Sequence, residues 1–291
     1  MVQGLYNPRQ PLPIIPNSDG VGEVVEIGDG VSRVRVGDRV AGCFFQGWAS
    51  GEPTVEKAVT TLGSPLDGML AEYRVLNEEG VVHVPEHLSD EQAATLPCAA
   101  LTAWSALVTY GGRKAGDTIL VQGTGGVSLF GLQIGKMRGA RVVVTSSKNE
   151  KLERAAGMGA DHMINYKEIP KWGKAARAWA DGLGVDHVIE VGGAGTLQES
   201  LQAVRIGGEI SMIGVLSGGA KELSILPILM KNVRVQGIFV GHREGFEAMN
   251  RAMAQHKLVP VVDRVFPFQE VKQAFEVMEK GEHFGKICLS F

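Results

Sequence analysis

The chain has 291 residues, 44% hydrophobic and 21% charged, with a net charge of −3, which gives room for about two domains and no basic stripe to draw it onto nucleic acid or an anionic membrane. Cys43, Cys98 and Cys288 lie far apart with no CxxC, which excludes cysteine zinc lobes, iron–sulfur clusters and a disulfide framework and fits a reducing, cytoplasmic setting. Glycine is in surplus, 39 residues with no Gly-X-Y period, which points to tight turns and to backbone brought close to something.

The first eight residues, Met1 to Pro8, have neither a basic nor an apolar leader region, and no apolar run approaches a membrane span. Residues 1–90 then read as short β-like runs broken by Gly, Pro and Asp: 21–27, 34–40, 70–75 and 80–84. This rhythm predicts a small barrel or sandwich. Ser89 and Gln92 form a capping box, so a helix follows through Leu96 and Leu101 to Leu107. Six apolar strands come next, at 118–122, 141–145, 162–165, 187–191, 209–215 and 234–240. Helical periods separate them: Leu197, Leu201 and Val204 share one face, as do Phe246, Met249 and Met253. Gly139, Gly159 and Gly207-Gly208 stand where helices end. Such alternation predicts a doubly wound parallel sheet. A strand at 261–268, a helix bearing Val271, Phe275 and Met278, and a strand at 287–291 return to the first domain. The expected domains are 1–92 with 255–291, and 93–254.

The strand 118–122 runs into Gly123-Thr124-Gly125-Gly126-Val127-Ser128 and then a helix over 129–138. Free N–H groups and the positive end of the helix dipole make such a turn an anion site. Gly123 permits the turn, and Gly125 lets backbone approach a pyrophosphate. Ser128 replaces the third fingerprint glycine. In this context the loop predicts dinucleotide binding, against the plainer reading of a Gly-rich βα turn. An NAD site calls for Asp or Glu about 20 residues further on. Here the residues are Thr145-Ser146-Ser147-Lys148. Hydroxyls and Lys148 or Lys151 can serve a 2′-phosphate, so NADP(H) is favoured over NAD(H). The competing account makes Ser147 a helix cap and both lysines solvated.

Several stretches resemble the medium-chain dehydrogenase/reductase superfamily, in its zinc-independent, quinone-oxidoreductase-like branch. They are Pro16-Asn17-Ser18-Asp19-Gly20-Val21-Gly22-Glu23-Val24, Val36-Gly37-Asp38-Arg39-Val40, Leu96-Pro97-Cys98-Ala99-Ala100-Leu101-Thr102-Ala103-Trp104, the loop from Gly123 to Val127, Gly159-Ala160-Asp161-His162 with Ile164-Asn165-Tyr166, and Gly285-Lys286. The resemblance implies a GroES-like β domain, N-terminally short, joined to a Rossmann domain, with NADP(H) in the cleft between them. It assigns the pyrophosphate to Gly123, Thr124, Gly125, Gly126 and Val127, and the 2′-phosphate to Ser146, Lys151 and Tyr166. Thr102 falls near the nicotinamide ribose, and Ile213, Val215, Phe239 and Val240 border the ring. Lys286 reaches toward the phosphates. Core packing is the competing reading of each of these side chains.

In zinc-dependent relatives a Gly-His-Glu motif supplies a ligand; Ser18 stands at that histidine's place. Cys98 matches a second ligand position, but one thiol cannot hold a catalytic zinc, which takes three protein ligands. No metal is therefore expected. Measured against the family pattern, the chain starts roughly 40–50 residues in, which predicts unpaired strand edges and exposed apolar faces, and lower stability and activity than an extended form.

The resemblance implies hydride transfer to a small electrophile whose own conjugation accepts it, a quinone or an α,β-unsaturated carbonyl. No catalytic residue is identified; Thr102 is the candidate for positioning. Phe44, Phe45 and Trp48 suit a flat ring or a β-domain core. The rivals are an alcohol dehydrogenase or carbonyl reductase, and an NADPH-binding protein with little turnover. The edge strand at 234–240 is the expected two-fold dimer contact, by the resemblance.

Overall fold

Punctuated β-runs and the βα alternation after them fold as two units in the computed structural model, which describes residue 10 and residues 12–112, 114–218 and 222–291. The segment read for a leader, Met1 to Pro8, lies outside the described residues. One unit is Met1–Leu101 with Val240–Phe291; the other is Thr102–Phe239. The divisions fall after Leu101 and before the helix Arg243–His256, where the sequence placed them after residue 92 and at 254–255, in that helix's last turn. That helix packs on the strand Val81–His83, and Asn250 Nδ2 donates to the His83 carbonyl at 2.9 Å.

In the first unit, β1 (Val21–Glu23), β2 (Arg39–Gly42) and β3 (Val81–His83) form an antiparallel sheet in that order. These strands are shorter than expected, and residues 70–75 form none. At its start the backbone is taken up otherwise: Leu70 N donates to Pro16 O and Ala71 N to Met69 O. Phe45 and Trp48 meet edge to face at 5.3 Å and are 1% and 2% exposed, so both are core. The Ser89–Gln92 box is formed. After its short helix, Asp90–Ala93, the chain stays helical over Leu96–Ala100, Leu101–Trp104 and Ser105–Thr109, with wide π-type turns in the first and last.

The second unit holds β4 (Thr118–Gln122), β5 (Arg141–Ser146), β6 (His162–Asn165), β7 (Val185–Glu190), β8 (Val204–Met212) and β9 (Arg234–Gly237). They form one parallel sheet in the order β6-β5-β4-β7-β8-β9. Strand succession runs outward from β4 on one side and restarts at β7 on the other, so the switch point lies between β4 and β7. Gly139 and Gly159 end their helices at φ +77° and +94°, as expected. The last three strands depart from the expected 187–191, 209–215 and 234–240: β7 starts two residues earlier, β8 starts five earlier and ends three earlier, and β9 stops at Gly237, so Phe239 and Val240 lie beyond it. Val204 opens β8 and does not sit on the helix Leu197–Ala203. Gly207 and Gly208 lie inside β8, where Gly207 takes φ +67° and its N–H donates to Lys231 O.

Back in the first unit, β10 (Val262–Pro267) and β11 (Lys286–Ser290) pair in parallel around the helix Val271–Lys280. Ala274 is that helix's buried residue, while Met278 stands half exposed. An open groove of about 1530 Å³ in this unit is lined by Val25, Ile27, Tyr73, Val75, Met278 and Phe291 among others. Among the described residues no helix is long and apolar enough to cross a membrane.

Candidate functional site

The second unit's phosphate-type loop leaves β4 beside the switch point. Gly123 takes φ +74°, which an L side chain rarely adopts, and its N–H is tied to Thr145 O on β5 at 2.8 Å. A Cβ added to Gly123 or Gly125 would meet nothing within 4 Å, so open space faces both residues. Gly125 is the N-cap of the helix Gly126–Met137, and no side chain caps it. The first-turn N–H groups of a helix have no intrahelical partner, and here they face that open space with the dipole's positive end. Thr124 is buried and Val127 half-buried. The missing third glycine is also explained. Ser128 tucks its hydroxyl onto the Gln122 carbonyl at 2.5 Å. Close helix–strand approach falls to Gly131 and Gly135, where a Cβ would come within 2.7 Å of Ile189 and 3.0 Å of Val142.

At the end of β5, Ser146 is buried, and its carbonyl accepts the Tyr166 N–H at 3.0 Å, so Tyr166 stands beside it. The next helix, Asn149–Gly157, takes Lys148 as N-cap, and no side chain makes a capping bond there; Ser147 does not cap it. Lys151 lies half-buried in that first turn. Glu168 was missed. Its carboxylate accepts from Asn149 Nδ2 at 2.8 Å and Asn165 Nδ2 at 2.9 Å. It stands two residues past Tyr166, so a carboxylate does occupy this neighbourhood.

Thr102 is buried, and Ile213, just past β8 on the other side of the switch point, is half-buried. Val215 and Phe239 are 59% and 48% exposed, so core packing does not account for those two. Val240 is buried at φ +50°, a strained setting for a β-branched residue, and belongs to the first unit. So does Lys286, whose ammonium lies 3.8 Å from Asp19.

Sequence reasoning also missed a buried carboxylate within the second unit. Glu190, at the end of β7, is 0% exposed. Its Oε1 accepts from Gly192 N at 2.8 Å, Gly193 N at 3.0 Å and Thr196 Oγ1 at 2.6 Å. Its Oε2 accepts from Gln122 Nε2 at 2.7 Å and from Ser200 Oγ. The only signal in the sequence was an acid at the end of an apolar strand, where sheet burial argues against one.

Comparison with known proteins fits this geometry. Residues 126–255 match the family described as zinc-binding dehydrogenase, and residues 1–86 the alcohol dehydrogenase GroES-like domain. A zinc-type alcohol dehydrogenase-like protein of Schizosaccharomyces pombe is 42% identical over 297 residues, covering 99% of this chain and 85% of that protein. The chain belongs to the medium-chain dehydrogenase/reductase superfamily. Among solved members, an NAD-dependent alcohol dehydrogenase matches at TM-score 0.90 and 32% identity, over 99% of this chain and 86% of that one. The 2-octenoyl-CoA carboxylase reductase CinF, solved with NADP and 2-octenoyl-CoA, matches at TM-score 0.86 and 28% identity, over 99% and 71%. The two units are this superfamily's GroES-like and Rossmann-like domains.

Zinc is a cofactor this superfamily implies, and the residues present do not fit it. Among the described residues no three His, Cys, Asp or Glu side chains converge to hold a metal. Ser18, at the histidine position, gives its hydroxyl to Asp19 at 2.7 Å. A nicotinamide dinucleotide, by contrast, fits the open glycine loop.

Proposed function

We propose that this oxidoreductase uses NADP(H), without a metal, to reduce a quinone or an α,β-unsaturated carbonyl. The observation carrying the reading is the open loop at Gly123 and Gly125, set against a β5 end that offers Ser146 and no carboxylate of its own. A bound dinucleotide supplies the hydride. The chain's part is to hold and orient it. N–H groups of Gly125, Gly126 and Val127 and the helix dipole hold the pyrophosphate. Ser146, Lys151 and Tyr166 take the 2′-phosphate. Ile213, Val215, Phe239 and Val240 shield the ring from water, Thr102 positions the ribose, and Lys286 adds positive charge. Conjugated substrates suit such a site because their own π-system accepts the hydride.

Fluorescence titration with NADPH and NADH, then NADPH oxidation over quinones, enones and aldehydes with and without chelator, tests this. Tighter NADPH, with chelator-resistant turnover of quinones or enones, is expected. The names of the relatives favour a second reading, an NAD(P)-dependent alcohol dehydrogenase. Stoichiometric zinc with chelator-sensitive alcohol oxidation would establish that instead, and tight NADPH without turnover would mark a binding protein.

A homodimer through β9 belongs to the same proposal. β9 is a sheet edge, and Ile225, Leu226, Leu229 and Met230 beside it in sequence are all exposed, apolar surface of the kind an interface buries. Light scattering on Leu229→Asp, expected to be monomeric, checks it.

A further inference from the structure

The carboxyl ends of β4 and β7 are the two strand ends that flank the switch point, and they are bolted together by two side chains. Gln122 is the last residue before the glycine loop. Its Nε2 donates to Glu190 Oε2 at 2.7 Å and to Ser200 Oγ at 2.8 Å. Its Oε1 accepts the N–H groups of Val191 and Gly192, each at 3.2 Å. Its main-chain carbonyl takes the Ser128 hydroxyl that closes the loop. Glu190 collects five donors in all, three on one oxygen and two on the other.

The network reaches the far side of the switch point as well. The Glu190 main-chain carbonyl accepts from Ile213 N at 2.9 Å, Val191 O from Leu216 N, and Gly192 O from Ser217 N. Gly193 sits so close to the next segment that a Cβ there would lie 2.8 Å from Val215 Cα. One buried pair thus connects the phosphate loop, residues 190–196 and the segment bearing Ile213 and Val215.

A buried carboxylate of this kind is costly, because any donor lost leaves charge unsatisfied. An apolar residue of similar volume would fill the same space at less cost. What the carboxylate adds is fixed geometry, since every donor's direction is specified. We infer that Glu190, with Gln122, is a positioning residue that sets the span between the pyrophosphate loop and the wall against which the nicotinamide ring lies. The inference rests on the dinucleotide reading. It goes beyond it by assigning the register of the nicotinamide half to two buried residues outside the glycine loop.

In Glu190→Gln an amide NH₂ must face two or three donors that the carboxylate accepted, so the loop over 190–196 shifts while β4 and the glycine loop remain. The test compares NADPH with 2′-phospho-ADP-ribose, and NADH with ADP-ribose, each pair differing by the nicotinamide ring. Expected in Glu190→Gln is at least about tenfold weaker binding of the whole dinucleotide, with the ring-less fragment changed less than about twofold and kcat lowered beyond the effect on KM. Equal weakening of dinucleotide and fragment, or no weakening of either, overturns the inference. If Glu190→Gln does not fold, Thr196→Val and Ser200→Ala each remove one donor and are read the same way, with Thr196→Ser expected to restore the wild-type ratio. Wild-type protein that binds neither dinucleotide nor fragment sinks the underlying reading instead, a distinct result.

Discussion

Ser128 donates its hydroxyl to the main-chain carbonyl of Gln122 at 2.5 Å, across the glycine loop it closes. Both ends of that bond are buried. Ser128→Ala is expected to lower stability by about 1–2 kcal/mol, because a buried carbonyl loses its partner. It should show as a lower urea midpoint at unchanged slope. Ser128→Gly removes the same bond and adds about 1 kcal/mol for glycine within a helix, so it should be the less stable of the two. A glycine variant as stable as wild type would show that the position asks only for a small residue.

Gly125 and Gly173 make a contrasting pair. Gly125 has ordinary φ and open space at its Cβ, so Gly125→Ala should leave stability within about 0.5 kcal/mol. The same methyl group occupies the place where a phosphate must approach, and dinucleotide affinity should fall about tenfold or more. At Gly173 a Cβ would lie 2.1 Å from Glu199 O. Gly173→Ala should therefore cost about 1–3 kcal/mol or more through overpacking, with no selective effect on the dinucleotide. Chemical denaturation and titration of both variants separate the two kinds of glycine.

The parts of the molecule governed by local rules were legible before the fold was seen. Residues 118–122, 141–146 and 162–165 are apolar runs ended by Gly or by helix starts, and they are the strands of the sheet within a residue. The capping box at Ser89 and the glycine helix ends at 139 and 159 depend on adjacent residues alone. Residues 70–75 misled because β-like composition cannot show that the Pro16 and Met69 carbonyls take the Leu70 and Ala71 N–H groups. Gly207-Gly208 misled because a β-bulge and a helix end use glycine alike. In the site, the glycine loop was readable as a string. Glu168 and Glu190 were not, because their roles arise from partners such as Asn149 at one and Gln122 at the other, which only the fold brings near.

The balance between cofactors is the next measurable consequence. If Lys151 serves a 2′-phosphate, Lys151→Ala should weaken NADPH by about 1.5–3 kcal/mol, as for a hydrogen bond to a charged group, and spare NADH. Glu168, held by Asn149 and Asn165, opposes a second negative charge nearby. Glu168→Gln keeps the acceptor and removes the charge, so the ratio of NADPH to NADH affinity should rise. Equal loss of both cofactors in Lys151→Ala would remove that lysine from the 2′-phosphate site.

In the first unit, His242 caps the helix Arg243–His256 by accepting the Gly245 N–H on Nδ1 at 2.9 Å, with Trp48 edge-on at 5.7 Å. Only an unprotonated Nδ1 can accept, so the cap needs neutral imidazole. Burial lowers the His242 pKa, Glu244 pulls it up and Lys57 presses it down, and the net direction is down. A group with a depressed folded pKa contributes its stability above the unfolded pKa, and that contribution is lost as pH falls from the ordinary histidine value through the lowered folded one. Wild type should therefore lose this increment below the ordinary histidine range. His242→Asn keeps a favoured cap that does not titrate, and should match wild type near neutral pH while losing less on acidification. His242→Ala should cost about 1 kcal/mol near neutral pH, the usual worth of a cap, with the gap to wild type narrowing as pH falls. Denaturation midpoints of the three proteins across that range decide the matter: a gap between wild type and His242→Ala that stays constant with pH would show that the cap does not titrate.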